Sequence, residues 1–258
     1  MELGFIIVLF LIGFFGSFIS GMLGIGGSII KYPLLLYVPP LLGVGLLTAS
    51  EVAGISAIQV FFATIGGVWA FRKGGYLNKR LILTMGISII IGSFIGGYGS
   101  DLLSNHTINF VYAIMATIAA VMMFVPRPEV EFHPDRKIEF SQTVAATSAF
   151  IVGIGAGIVG AAGAFLLVPI MLVLLKIPTR VTIASSLAIT FLSSIGSTFG
   201  KVVTDQVLYG PAIVMIIASL IAAPLGANFG KRVNTKVLKG ILAILILATA
   251  IKIWTDII

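Results

Sequence analysis

GMLGIGGSIIKYP, residues Gly21–Pro33, and GIVGAAGAFLLVP, residues Gly157–Pro169, align without gaps, and that match decides the fold. Gly21, Gly24, Gly27 and Pro33 pair with Gly157, Gly160, Gly163 and Pro169 at one constant offset, which also pairs Ser50 with Ser186. After small gaps Thr64 and Gly66 match Thr198 and Gly200, and Gly96 matches Gly226. A register sustained this far is a duplication, so each half is one copy of a structural unit. The copies span residues 1–125 and 141–258. Between them lies a polar linker at 126–140, PRPEVEFHPDRKIEF, with three prolines and mixed charge.

The solvent for these units follows from composition. The chain is 59% hydrophobic and 10% charged, with a mean hydropathy of +1.17, more apolar surface than a soluble domain of 258 residues can hide. No Asp, Glu, Lys or Arg occurs in Leu81–Ser100, Leu102–Pro126, Phe140–Leu175, Val181–Gly200 or Gln206–Gly230. Each run reaches the ~20 residues that a helix needs to cross a hydrocarbon core. The runs are continuously apolar with no period of two, so the spans are helices and not barrel strands. Hydrophobic segments fall at Leu3–Val38, Val44–Phe71, Leu81–Leu103, Ile108–Val125, Ser141–Leu175, Val181–Val203, Val207–Phe229 and Val237–Trp254. The expected class is an all-α membrane protein, in contact with lipid. Met1-Glu2 carries no basic n-region, so Leu3 onward reads as a membrane segment and not as a cleaved signal.

The net charge of +7 does not point to nucleic acid, because the basic residues sit in a few short loops. The rich connections are Arg72–Arg80, the linker, Lys176–Arg180 and Lys231–Gly240; the poor ones are VPPLLG after Tyr37, DLLSNHT at Asp101 and KVVTDQ at Lys201. If all eight segments crossed, Lys176–Arg180 and Lys231–Gly240 would both lie outside. If the fifth segment enters and returns on one side, every rich loop is cytoplasmic and both termini are outside. The repeat then makes the first segment a re-entrant or broken hairpin as well. Each half has one hairpin and three crossings, so the two four-segment repeats are inverted relative to one another, a common plan of secondary transporters.

The glycine-rich turns are where chemistry is expected: Gly24, Ile25, Gly26, Gly27 and Ser28 in the first half, Gly157, Gly160, Ala161 and Gly163 in the second. Glycine permits a sharp reversal and leaves amides open to a ligand. The half-helices that follow begin with unpaired amides at a positive dipole end, and two such ends converging near the midplane suit an anion. The alternative is that the glycines only allow close helix packing. Gly155, Gly157 and Gly160 also satisfy GxGxxG, but no acid lies between Glu139 and Asp205, so a dinucleotide site is set aside.

Ser186, Thr190, Ser193 and Ser197 share one face of the sixth segment, with a sparser counterpart of Ser50, Ser56, Gln59 and Thr64 in the second. These hydroxyls either line a substrate path or bond to their own helix. Lys31 and Glu51 are the charges expected inside the membrane. Counted from the segment ends, they fall at a similar depth and are expected to pair, either as a structural ion pair or with Lys31 attracting an anion and Glu51 carrying a proton. There is no cysteine, no HExxH, no GxSxG and no clustered ligand set, so neither a metal nor another cofactor is expected, nor an enzyme.

Taken together, SGMLGIGGSIIKYPLLL, GAGIVGAAGAFLLVPIM, IASSLAIT (Ile183–Thr190) and LGANFGKRVN (Leu225–Asn234) resemble the TauE/SafE family of sulfite exporters over essentially the whole chain. The resemblance implies export of sulfite, organosulfonates or related small anions across the cytoplasmic membrane. A passive anion channel, or a cation or amino-acid transporter using half-helix carbonyls, are the competing readings, and the sequence leaves a homo-oligomer open.

Overall fold

The computed structural model describes residues 2–23, 28–71, 75–125, 138–161 and 163–257. Gly24, Ile25, Gly26 and Gly27 of the first turn, and most of the central linker, lie outside the described residues. Among those described there are ten helices and no strand: α1 (Leu3–Leu23), α2 (Ser28–Leu41), α3 (Ala49–Phe71), α4 (Lys79–Gly99), α5 (Asn105–Phe124), α6 (Gln142–Val159), α7 (Ala164–Pro169), α8 (Thr179–Val203), α9 (Tyr209–Gly230) and α10 (Thr235–Ile257). A 3₁₀ turn, Ser100–Leu102, ends α4, and a π turn, Ile170–Leu174, follows α7. The π turn begins directly after Pro169, whose missing N–H breaks the regular ladder. Eight of the helices are long and apolar enough to cross a membrane; α2 and α7 are not.

The first and fifth segments each break into a long arm and a shorter return. α1 has 21 residues and α2 has 14. Gly4 lies against Val44 and Gly45 against the Phe5 ring, so α2 brings the chain back to the end where α1 began. In the second half, α6 ends on Gly160 and α7 starts on Gly163, both in the left-handed region at φ 69° and 66°. Gly163 lies back on Val152 and Ala156 of α6, so the chain reverses there.

Loop contacts sort the bundle into two ends. Arg180 donates to the carbonyls of Gly230 and Val233, at 3.1 and 3.0 Å. The Asn78 amide donates to Ser185, and Arg80 stands over the Phe140 ring at 5.9 Å. The described parts of the four basic connections therefore meet at one end. At the other, the Ser50 amide donates to Asn105, Ser100 bonds to Gln206, and the Gln206 carbonyl abuts Gly54. The charge segregation read from the sequence is thus a property of the folded bundle.

Neighbouring helices touch through glycine. A Cβ at Gly21 would fall on the Ala223 carbonyl, one at Gly226 on that of Phe18, and one at Gly230 on that of Met22. These contacts advance together along α1 and α9, which therefore run in the same direction. α4 and α6 do likewise: Gly153 meets Ile89 and Ser93, Gly157 meets Ser93 and Gly97, and Gly96 meets Ile154. Each long arm thus packs on a helix of the other half. The inward face of α9 is Ala212, Ala218, Ala222, Ala223 and Gly226, whereas Ile213, Ile217, Ile221 and Leu225 point outward. Small residues inside and large apolar ones outside is the pattern of helices packed within lipid.

Two glycines on α4 test this. Gly96→Ala puts a methyl on the Ile154 carbonyl and should cost about 1–3 kcal/mol, the usual penalty of overpacking. Gly99→Ala meets nothing within 4 Å and should be neutral or slightly stabilising. Melting of the detergent-solubilised variants reads the difference; equal melting would contradict a backbone-to-backbone crossing.

Candidate functional site

The centre of the bundle holds a lysine. Lys31, on the first full turn of α2, is 0% exposed. Its stem lies across Gly16 of α1, where any Cβ would collide with the lysine Cγ. Its ammonium donates to Gln59 Oε1 on α3 and, at 3.3 Å, to Ser17 Oγ on α1. Gln59 Nε2 in turn donates to Ser17 Oγ at 3.0 Å, which closes a three-residue ring and fixes which way the Gln59 amide faces. An ammonium has three donors and this ring takes two. Among the described residues no carboxylate pairs with it.

The expected Lys31–Glu51 pair does not form. Glu51 is half-buried at the start of α3, where its carboxylate accepts from the Thr48 amide at 2.8 Å and the Thr48 hydroxyl at 3.0 Å. The Glu51 amide donates back to Thr48 Oγ1 at 3.3 Å, which completes a capping box. The reason is depth. α2 continues through Pro39 and Pro40 to Leu41, so Lys31 sits lower than a count from Val38 implied. It reaches Gln59, eight residues and roughly 12 Å along α3 from Glu51.

The turns also differ from expectation. Met22, at the end of α1, lies beside Gly230 at the basic end, while Gly160 lies against the Ala53 carbonyl near the opposite end of α3. Gly66 meets Pro224 at about the level of Gly21, and it is thirteen residues beyond Ala53, so the arm ends stand roughly 20 Å apart along the bundle. They do not converge on one plane. The amides of Gly160 and Ala161 are bonded to carbonyls of α6, the former to Ala156 and Gly157 and the latter to Ala156 at 3.0 Å; they close the helix and are not open to a ligand. Gly157 is a packing contact on α4.

The hydroxyl stripe divides. Ser186 donates to Ile183 of its own helix at 3.0 Å, and Ser50 is tied through its backbone to Asn105 at the poor end. Thr190 and Ser193 on α8 and Ser56 on α3 are different: their hydroxyls are buried with no partner among the described residues. Ser56 is one turn from Gln59 on α3, between it and the Ala53 contact with the second turn. α3 and α8 meet through stacked Phe61 and Phe191 rings, 5.4 Å apart. Gly16 and Ser17 carried no signal, since a glycine and a serine in an apolar helix read as packing. Beside Lys31, Tyr32 stacks on Tyr112 of α5 at 4.6 Å, and Tyr112 packs at 5.8 Å on Phe165 of α7, joining the two return arms.

A second buried lysine was missed as a loop residue. Lys201 at the end of α8 donates to Ser100 at 2.8 Å and Gln206 at 2.9 Å, and Gln206 reaches the Gly97 carbonyl. It ties the ends of α4 and α8 together, where helix carbonyls face it.

Two substitutions separate the roles of Gln59 and Glu51. Glu51→Ala should cost about 1 kcal/mol of stability, the usual worth of a cap, and leave transport intact. Gln59→Leu leaves Lys31 one acceptor short and should lower flux about tenfold or more at similar yield. The reverse ranking would show that Glu51, and not the ring, serves the site.

The family described as sulfite exporter TauE/SafE matches residues 9–253. The chain is 24% identical over 226 residues to a probable membrane transporter protein, YunE, of Bacillus subtilis, covering 81% of this chain and 83% of that one. It is 28% identical over 191 residues to a probable membrane transporter protein of Xylella fastidiosa, 73% of this chain and 68% of the other. A probable membrane transporter protein of Methanocaldococcus jannaschii is 24% identical over 221 residues, 84% and 80% of the two chains. No solved structure matches the chain.

Proposed function

The chain belongs to the sulfite exporter TauE/SafE family, a multi-pass membrane transporter of the cell membrane, and from that membership we propose that it is a secondary transporter exporting a small anion: sulfite, an organosulfonate or a carboxylate. One observation carries the choice of an anion. Lys31 is enclosed at mid-bundle, and among the described residues its partners are a glutamine and a serine. A charge in such a place costs several kcal/mol unless something of opposite sign stands beside it. A bound oxyanion supplies that charge. Lys31 has a donor left for it, and the unpaired Ser56 hydroxyl one turn from Gln59 is a neutral donor at hand.

Alternating access is supported by how the halves interlock. Each long arm rides on a helix of the other copy, and the arms reach toward opposite ends of the bundle. Rocking one pair against the other would open Lys31 to one side at a time. Crossings that bring backbones together at small residues suit such sliding.

The purified protein in liposomes gives the test. Sulfite, methanesulfonate and acetate should be carried in preference to sodium or free lysine, and should show counterflow, uphill accumulation driven by unlabelled anion on the other side. Lys31→Met should reduce the flux about tenfold or more. Flux without counterflow indicates a channel. Uptake of a cation with no oxyanion transport would overturn the anion reading.

A further inference from the structure

We propose that Lys31 takes up and releases one proton with each anion, so that a monoanion crosses together with one H⁺ and the cycle moves no net charge; this rests on the transport reading above. The neutrality of the groups that hold Lys31, Ser17 and Gln59, is the ground for it. The ring around Lys31 is closed, and among the described residues it holds no other ionisable group. α1 contains none. On α2 itself the titratable side chains are Tyr32 and Tyr37, the first bonded to Asn109 and the second facing Lys252 of α10 at 4.4 Å from its ring. α3 has only Glu51, which caps its helix. α5 contributes His106 in its first turn and Tyr112, stacked on Tyr32. Of the described side chains on α10, the charged ones are Lys236 and Lys252. Lys31 is therefore left with neutral partners whenever no anion is bound.

Those partners suit both forms of the amine. Ser17 accepts from an ammonium, and by turning its hydroxyl proton it donates to the lone pair of a neutral amine; Gln59 Oε1 accepts from either. A carboxylate partner would instead hold the ammonium in place throughout the cycle. Loading is then Lys31–NH₂ + H⁺ + A⁻ → Lys31–NH₃⁺·A⁻, and release is its reverse on the other side. The proton comes from and returns to water, and no bond in the anion changes. Export is driven by the sum of the anion and proton concentration gradients and is indifferent to membrane potential.

Liposomes containing the full-length protein and loaded with methanesulfonate or isethionate, strong-acid anions that bring no proton of their own, test this with a pH dye in the lumen. Efflux should alkalinise the lumen by one proton per anion and should change less than about twofold when valinomycin sets a potential of about 100 mV. Lys31→Arg keeps the charge and cannot shed it. In that variant the ratio of net efflux to anion-for-anion exchange should fall about tenfold or more, whatever the loss in either rate alone. If it fails to fold, the wild-type lumen record decides alone. Anion efflux at constant lumen pH, accelerated by an inside-negative potential, overturns the proton proposal and leaves the transport reading standing. Movement of neither sulfonate, with sulfite and acetate also retained, overturns both.

Discussion

The bundle depends on backbone meeting backbone at glycine. In lipid, no hydrophobic force drives one apolar helix onto another, because the acyl chains are as apolar as leucine. What remains is close van der Waals contact, and that requires helices to approach nearer than side chains allow. Gly21, Gly226 and Gly230 provide it between α1 and α9; Gly92, Gly96, Gly153 and Gly157 provide it between α4 and α6. Both crossings join one half of the chain to the other. Remove them and each long arm loses its main partner, and α1 no longer holds Gly16 and Ser17 against Lys31.

Much of this was legible in sequence because it is written in features that lipid enforces. Charge-free runs mark spans, and the helices begin and end within a few residues of them: α8 starts at Thr179 against an expected Val181, and α5 ends at Phe124 against Val125. Basic loops gather at one end for the same reason. The reversals at Gly21–Pro33 and Gly157–Pro169 were visible because glycine before a matching proline has few other uses. Partners were harder. The sequence placed Lys31 by counting from a supposed loop at Pro39-Pro40, and the helix runs through both prolines. Thr48-x-x-Glu51 is a capping box in plain view, but its carboxylate was read as a buried charge. Ser17 could not be found at all, because what makes it part of the site is the hairpin that lays α1 beside α2.

The two buried lysines show how similar chemistry serves different ends. Each is bonded to a serine and a glutamine. Lys201 sits where α4 and α8 end, among carbonyls that favour a cation, with Asp101 one residue beyond its serine partner. Lys31 sits near the start of a helix, where the dipole opposes a positive charge. Lys201 is at home in its surroundings and Lys31 is not, and the anion proposal rests on that misfit.

Lys31 has no charged counterpart: its mate in the duplication is Leu167, and the mate of Ser17 is Gly153. The scaffold is doubled but the charge is single. Under the alternating access proposed above, two copies of equal sequence would give inward- and outward-facing shapes of equal energy. With one lysine seated in only one copy, the two shapes place that charge in unequal surroundings and cannot be isoenergetic. On that proposal a resting preference for one face would be built into the chain, set by which half carries Lys31.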